Sequence, residues 1–292
     1  MNKSILHHLR IPFSLYLMPV FAFAACQYPF ADIKTLVLSF LAIHLFLYPA
    51  DNGYNSWFER RTGRYATLRN MPPVPTGLLF VSILFDIAGL VLGFMVSWQF
   101  AAMMLIYGVV SKAFSVPGIR LKKYGFFALF IVSVFQGGFA YLMAYLGLHH
   151  LNFNQLEEAK ILIPALLCAV MILGFYPLTH IYQHHADSEH GDRTASMILG
   201  VNGTFIFCAI VFLLGNFGFY FYFTNYFHKV VYFSLFQVFL SPLFAYFLLW
   251  YYAYLVNGPD EANYRNSMIV NKLAAICLMA FFITTAILQN WF

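Results

Sequence analysis

Charge is what this 292-residue chain has least of: 9% of its residues are Asp, Glu, Lys or Arg, against about 25% in a soluble domain. Eleven acids and sixteen bases cannot solvate a chain that is 62% hydrophobic, with 35 Phe and 20 Tyr. A soluble enzyme, a nucleic-acid-binding module and a disordered chain are excluded. Cysteine is scarce as well. Cys26, Cys168, Cys208 and Cys277 sit singly in apolar runs, with neither pairing nor metal-ligand spacing, and read as small buried hydrophobes. The sequence also lacks an internal repeat and a pair of Gly/Pro-broken spans in matching halves, which argues against a transporter. The net charge of +5 matters less than where the charges fall. What the chain has in abundance is long apolar runs, and it reads as a polytopic membrane protein.

A helix needs about 20 largely apolar residues to cross the hydrocarbon core. Nine runs meet that length: 11–30, 33–50, 74–97, 98–116, 124–148, 160–180, 201–223, 227–256 and 268–289. They predict an all-α bundle of nine transmembrane helices, with 1–292 as one domain. The eighth run is long enough to require tilt or an interfacial extension. Lys3 and Arg10 before the first run, with Phe23-Ala24-Ala25-Cys26 at its end, loosely resemble a cleaved signal. That run is long enough to span in its own right, so an uncleaved helix is expected.

The bases test the count. One side would hold the N-terminus and the loops near 51–73, 112–123, 181–200 and 257–267, with thirteen Lys and Arg. The other side would hold Lys34, Lys160 and Lys229 alone. Positive residues collect on the cytoplasmic side, so the N-terminus is expected inside and the C-terminus outside. The expected location is a bacterial inner membrane.

Polar chemistry concentrates in the cytoplasmic loops. The outer side offers Glu157, Glu158 and the pair His149-His150, which reads as an exposed loop. The first cytoplasmic stretch is Tyr48-Pro49-Ala50-Asp51-Asn52-Gly53-Tyr54-Asn55-Ser56-Trp57-Phe58-Glu59-Arg60-Arg61-Thr62-Gly63. If the second helix continues through it, Asn55 and Glu59 stand at i and i+4, with Asn52 one turn earlier. Oxygen donors stacked that way can hold a hard cation such as Mg²⁺; a capped, amide-rich helix end with solvated charges fits the same residues.

The second stretch runs His180-Ile181-Tyr182-Gln183-His184-His185-Ala186-Asp187-Ser188-Glu189-His190-Gly191-Asp192-Arg193-Thr194. Gln183 and Asp187 are again at i and i+4. His180, His184 and Asp187 form a further stripe that could take a transition metal, although one helix supplying three ligands is geometrically awkward. The third is Phe114-Ser115-Val116-Pro117-Gly118-Ile119-Arg120-Leu121-Lys122-Lys123. A turn followed by three bases is either a topology anchor or a clamp for a phosphate group. Asp86 lies well inside the third run, where an acid is a functional candidate or a structural partner for a neighbouring helix, for instance through Gln136.

Together these pieces resemble the UbiA superfamily of intramembrane prenyltransferases. That family has nine helices, Asp-rich motifs near N-D-x-x-D-x-x-x-D and D-x-x-x-D after helices two and six, and a Y-S-x-x-P-x-R-L-K-like segment after helix four. Asn55-Ser56-Trp57-Phe58-Glu59 lies on the first motif. Phe114-Ser115 through Ile119-Arg120-Leu121-Lys122 lies on the basic segment. Gln183-His184-His185-Ala186-Asp187, then Gly191-Asp192-Arg193-Thr194 and Leu199-Gly200, lies on the second, and Leu9-Arg10-Ile11-Pro12 matches the lead-in to helix one. The chain also departs from the pattern. Ser56 and Gln183 replace acids, Glu59 stands for the central Asp, Phe114 for the Tyr, and the last acid position of the first motif falls on Gly63. Glu59 and Asp187 remain in register; Asp51, Glu189 and Asp192 are nearby but out of phase.

The resemblance implies a prenyl diphosphate whose head sits at the cytoplasmic mouth, a small acceptor that is often an aromatic ring, and Mg²⁺ as cofactor. It gives Glu59 and Asp187 the catalytic, metal-holding role with Asn55, and makes Asn52 and Gln183 neutral oxygen ligands. Arg120 and Lys122 would grip the diphosphate, with Arg10 assisting. His184, Asp51, Asp192 and Asp86 are secondary candidates. Aromatic faces could shield a carbocation by up to about 2 kcal/mol. Two further uses of the fold stay open: cyclisation of the prenyl diphosphate itself, and non-catalytic isoprenoid binding, which the missing acids favour.

Overall fold

The computed structural model describes residues 3–27, 31–60, 63–65, 68–227 and 230–291. Arg61, Thr62 and Lys229, counted above, lie outside them. The chain forms two compact units: Met1–Leu121 with Phe139–Glu158, and Lys122–Gly138 with Ala159–Phe292.

The first unit opens with α1 (Lys3–Leu9), a 3-10 turn (Ile11–Tyr16) and α2 (Met18–Ala25). Pro12 and Pro19 fall near the start of the last two, where a missing N–H is tolerated. The two arms of this first run are bent by 46°. Next come α3 (Ile33–Phe40), a π-helical segment (Leu41–Leu47) and α4 (Tyr48–Glu59), which together make one candidate span of 27 residues. Asp32 caps α3 by accepting from the Thr35 amide at 3.0 Å. After Arg60 the backbone makes a short antiparallel hairpin, β1 (Gly63–Tyr65) with β2 (Leu68–Met71).

Helices α5 (Leu78–Val96) and α6 (Trp98–Ala113) are separated by one residue. Ser97 is extended and its hydroxyl accepts from the Phe100 amide at 3.1 Å, so it ends one helix and caps the next. The last helix of this unit is α8 (Ala140–Leu148), preceded in sequence by α7 (Gly125–Val132) of the other unit. Gly147 lets α8 lie on α6: a Cβ there would meet the Phe100 ring at 2.6 Å. His149 is half-buried near the Ala24 carbonyl, and the exposed His150 contacts Thr35 and Asp32.

The second unit holds α7, α9 (Ala159–Phe175), short 3-10 turns at Pro177–Thr179 and Ile181–Gln183, and α10 (His184–Glu189). It continues with α11 (Ala195–Tyr226), α12 (Val230–Asn257) and α13 (Tyr264–Trp291). Gly200, at φ 68°, breaks α11 one turn from its start. Gly137 presses on α9, where a Cβ would stand 2.5 Å from the Cys168 carbonyl oxygen. The core is a run of ring contacts, for example Phe219 to Phe236 at 4.5 Å and Phe236 to Phe281 at 5.1 Å.

Among the described residues, seven helices are long and apolar enough to cross a membrane, or eight if the bent pair at the N-terminus is one span. The expected span 98–116 appears as α6, whose 16 residues reach about 24 Å against a core of about 30 Å. Exposed Phe80, Ile87, Leu213, Phe217, Val238 and Leu249 cover outer faces that only lipid can solvate at this density. This is an integral, multi-pass membrane protein.

Candidate functional site

The polar side chains named from the sequence fall into one cluster in each unit. In the first unit, α4 does continue through the motif, so Asn52, Asn55 and Glu59 share one helix. Gly53 lets that helix close on α5, since a Cβ there would collide with the Ser82 hydroxyl. Asp51, Asn52 and Ser56 are buried. Arg10, whose backbone lies in the left-handed region at φ 45°, is buried and donates from Nη2 to the Ser56 hydroxyl at 2.7 Å. Ser115 donates to Glu59 Oε1 at 2.8 Å. Asn52 spends its amide nitrogen on the Leu9 carbonyl, at 3.4 Å. Asn55 differs from these: its Oδ1 is buried without a hydrogen-bond partner. Such an acceptor costs about 1–3 kcal/mol to leave unpaired.

Beside this motif lies a charge triad that the sequence does not reveal. Lys112, in the last turn of α6, places Nζ 2.9 Å from Asp51 Oδ1 and 2.9 Å from Asp86 Oδ2. Asp86 therefore pairs with a cation of a neighbouring helix. Lys112 read as one loop charge among thirteen; its partners lie 61 and 26 residues away, and no spacing rule connects them. The signal that was available is the pairing itself: an intramembrane acid needs an opposite charge, and Lys112 ends the adjacent apolar run.

In the second unit, the stretch from His180 to Asp187 is not one continuous helix. The turn at Ile181–Gln183 separates the two histidines. His180 Nδ1 lies 3.1 Å from Asp187 Oδ2, while His184 Nε2 lies 2.8 Å from the Ser196 hydroxyl. The His-His-carboxylate stripe is thus divided between two partners, and no group of three His, Cys, Asp or Glu suited to a metal occurs among the described residues. Asp187 is buried to 1% exposure. Gln183 donates from Nε2 to the Thr179 carbonyl at 2.8 Å, and its Oε1 is buried with no partner. Lys122 Nζ meets Asp192 Oδ2 at 3.0 Å, joined by a parallel backbone bridge of Gly125 with Thr194. Arg120, which belongs to the first unit, is half-buried with φ 42°.

The donor sets suit a hard cation. Each cluster offers a carboxylate and an amide oxygen with an open lone pair: Glu59 with Asn55, and Asp187 with Gln183. Mg²⁺ is commonly held by one or two carboxylates together with substrate phosphates and water, so the lack of a three-acid group is compatible with it.

An apolar helical shell carrying buried oxygen donors and bases defines an intramembrane protein with a polar cluster in each unit. The comparisons place it more narrowly. The pattern of the UbiA prenyltransferase family matches residues 16–276, and the chain belongs to that family. A UbiA homologue from Archaeoglobus fulgidus bound to GPP and Mg²⁺ superposes with TM-score 0.69 at 16% identity, over 97% of this chain and 99% of that one. An apo UbiA homologue from Aeropyrum pernix K1 gives 0.70 at 15% identity, over 94% and 98%. A digeranylgeranylglyceryl phosphate synthase gives 0.62 at 17% identity, over 97% and 98%. At these identities the likeness is one of fold. No curated protein matches the sequence.

Proposed function

We propose that this protein transfers an isoprenyl group from a prenyl diphosphate to a small acceptor, an aromatic ring being one option. The observation that carries this reading is the pair of buried amide oxygens, Asn55 Oδ1 and Gln183 Oε1, left without hydrogen bonds at the two motif positions. A structural amide turns its oxygen to a donor. These two keep a lone pair open, as a ligand to a cation does. Relatives of the same fold bind GPP or DMAPP together with Mg²⁺, which supports the same chemistry here.

In the reaction the bond between the allylic carbon and the diphosphate oxygen breaks, and its electron pair leaves with the diphosphate. An electron pair of the acceptor forms the new bond to that carbon, and the acceptor gives up a proton. Asn55 and Glu59, with Asn52 in support, would hold Mg²⁺ in the first unit, and Asp187 with Gln183 would do so in the second; the ion would supply charge neutralisation at the leaving diphosphate. Arg10 and Arg120 add fixed positive charge, and Lys122, paired with Asp192, adds N–H donors but no net charge. Ser115 orients Glu59, and His180 orients Asp187. The apolar helices accommodate the isoprenyl tail and exclude water from the allylic cation. The motif side faces the cytoplasm of a bacterial inner membrane.

The test is diphosphate release from geranyl, farnesyl and geranylgeranyl diphosphate by purified protein in detergent, with and without Mg²⁺ and a panel of hydroxyarene acceptors. Glu59→Gln and Asp187→Asn are each expected to lower Mg²⁺-dependent release by at least about 100-fold, in the range seen for removing one stabilising group. Release that needs neither Mg²⁺ nor either acid would overturn the metal assignment. Diphosphate binding without any release favours the isoprenoid-binding reading, and a product free of acceptor marks cyclisation.

A further inference from the structure

His44 lies in the π-helical segment Leu41–Leu47 and is 3% exposed. Its Nδ1 is 3.1 Å from the Ser14 carbonyl oxygen. A carbonyl only accepts, so Nδ1 carries the proton and donates, and Nε2 of the neutral ring is left as a bare acceptor. That Nε2 is buried and has no hydrogen-bond partner. Around the imidazole stand three rings: Phe40 stacked at 5.0 Å, Phe21 edge-on at 5.5 Å and Tyr48 edge-on at 5.2 Å. π-Helical turns recur at functional sites. This one sets the histidine one turn before Tyr48 and two before Asp51, on the helix that carries the first motif.

We propose that His44 Nε2 is the receptor for a neutral hydroxyl on a flat, apolar ring, and that this subsite seats the acceptor by its O–H. The ligand class follows from the surroundings. A lone pair in an aromatic cage rewards a single uncharged donor, and an unpaired buried acceptor is what discriminates a hydroxyl from its ether. Entry requires a neighbouring ring to give way, and a flat ring replaces the face it displaces, whereas a hydrated ion does not. Calling this ligand the acceptor rests on the transferase reading; the binding itself does not.

The experiment uses the full-length protein in detergent, labelled with ¹⁵N-histidine. It is titrated with 2-naphthol and, separately, with 2-methoxynaphthalene, each corrected for partition into protein-free micelles. 2-Naphthol is expected to bind about tenfold more tightly, one net hydrogen bond, and to shift one imidazole Nε2 resonance that the ether leaves in place. In His44→Phe the preference falls to about onefold, while His44→Asn, which keeps an acceptor, retains part of it. Equal affinities in the unmutated protein, an unmoved resonance, or a preference that survives His44→Phe would each overturn the proposal. Should His44→Phe fail to fold, the two probes and the resonance decide alone. No prenyl diphosphate enters this assay. Failure of diphosphate release would therefore sink the transferase reading and leave the hydroxyl site standing, and the reverse also holds.

Discussion

Replacing Lys112 by Met tests how the first unit tolerates acids inside its apolar shell. The Lys112, Asp51 and Asp86 side chains are 22%, 7% and 18% exposed, and both acids lie 2.9 Å from one Nζ. Without the ammonium, two carboxylates face each other at no more than about 6 Å; at an effective dielectric of about 20 their repulsion is about 3 kcal/mol. Removing one partner of a buried ion pair generally costs about 3–5 kcal/mol, and Lys112→Met is expected in that range. Asp86→Asn behaves differently, because it leaves the pair Lys112–Asp51 balanced. The lost charged hydrogen bond is offset by relief of the carboxylate repulsion, and the net cost is about 1 kcal/mol or less. In Lys112→Met/Asp86→Asn the repulsion is gone, so about 3 kcal/mol of the single-variant loss returns. Equilibrium unfolding in mixed micelles, read by circular dichroism, measures all three. Equal losses in the two single variants, or an additive double variant, would refute the triad.

Two other perturbations follow from single contacts. Thr35 holds the Asp32 carboxyl down to about 2 from its ordinary 3.8, through its side chain and its amide. A depressed acid stabilises above its unfolded value and loses that contribution as pH falls through the folded one. The protection factor of the Thr35 amide, its exchange rate measured against the intrinsic rate at the same pH, should therefore fall between pH 3.8 and about 2, and Asp32→Ala should abolish that fall; an unchanged protection factor would remove the cap from the account. Gly137→Ala should lower stability by about 1–3 kcal/mol through overpacking, because its Cβ would meet the α9 backbone at Cys168 and Ala169. A melting temperature equal to that of the unmutated protein would show that α9 yields freely.

How legible each part was depends on the range of the physics. Apolar runs act locally, so the spans could be read directly, down to the break at Ser97, which both the change of run and a capping hydroxyl mark. The count of nine exceeds the seven or eight helices of spanning length among the described residues because a hydropathy run reports neither that α6 stops after 16 residues nor, for the lower count, that the first run is bent by 46°. The motif helix was readable because i and i+4 positions share a face. The second motif shows the limit of that rule: periodicity presumes an unbroken helix, and the turn at Ile181–Gln183 leaves His180 hydrogen-bonded to Asp187 and His184 to Ser196. Ion pairs across 26 and 61 residues, such as those of Lys112, leave no local trace.

Ser56 shows how a departure from a motif can be read once its neighbours are known. The family pattern has an acid there, and by itself the serine suggests a weakened cation site. The structure instead gives its hydroxyl to Arg10, across 46 residues of sequence. A hydroxyl accepts that guanidinium proton without cancelling the guanidinium charge, whereas a carboxylate at the same distance would form a neutral pair. The substitution therefore takes a negative charge out of the cluster. If a diphosphate is the ligand, that change favours the anion directly and lowers the number of metal charges needed to hold it. Ser56→Asp is expected to weaken prenyl diphosphate binding at low Mg²⁺ and to steepen its dependence on Mg²⁺, measured by isothermal titration. Tighter binding in that variant without added metal would mean that Arg10 plays no part in receiving the anion.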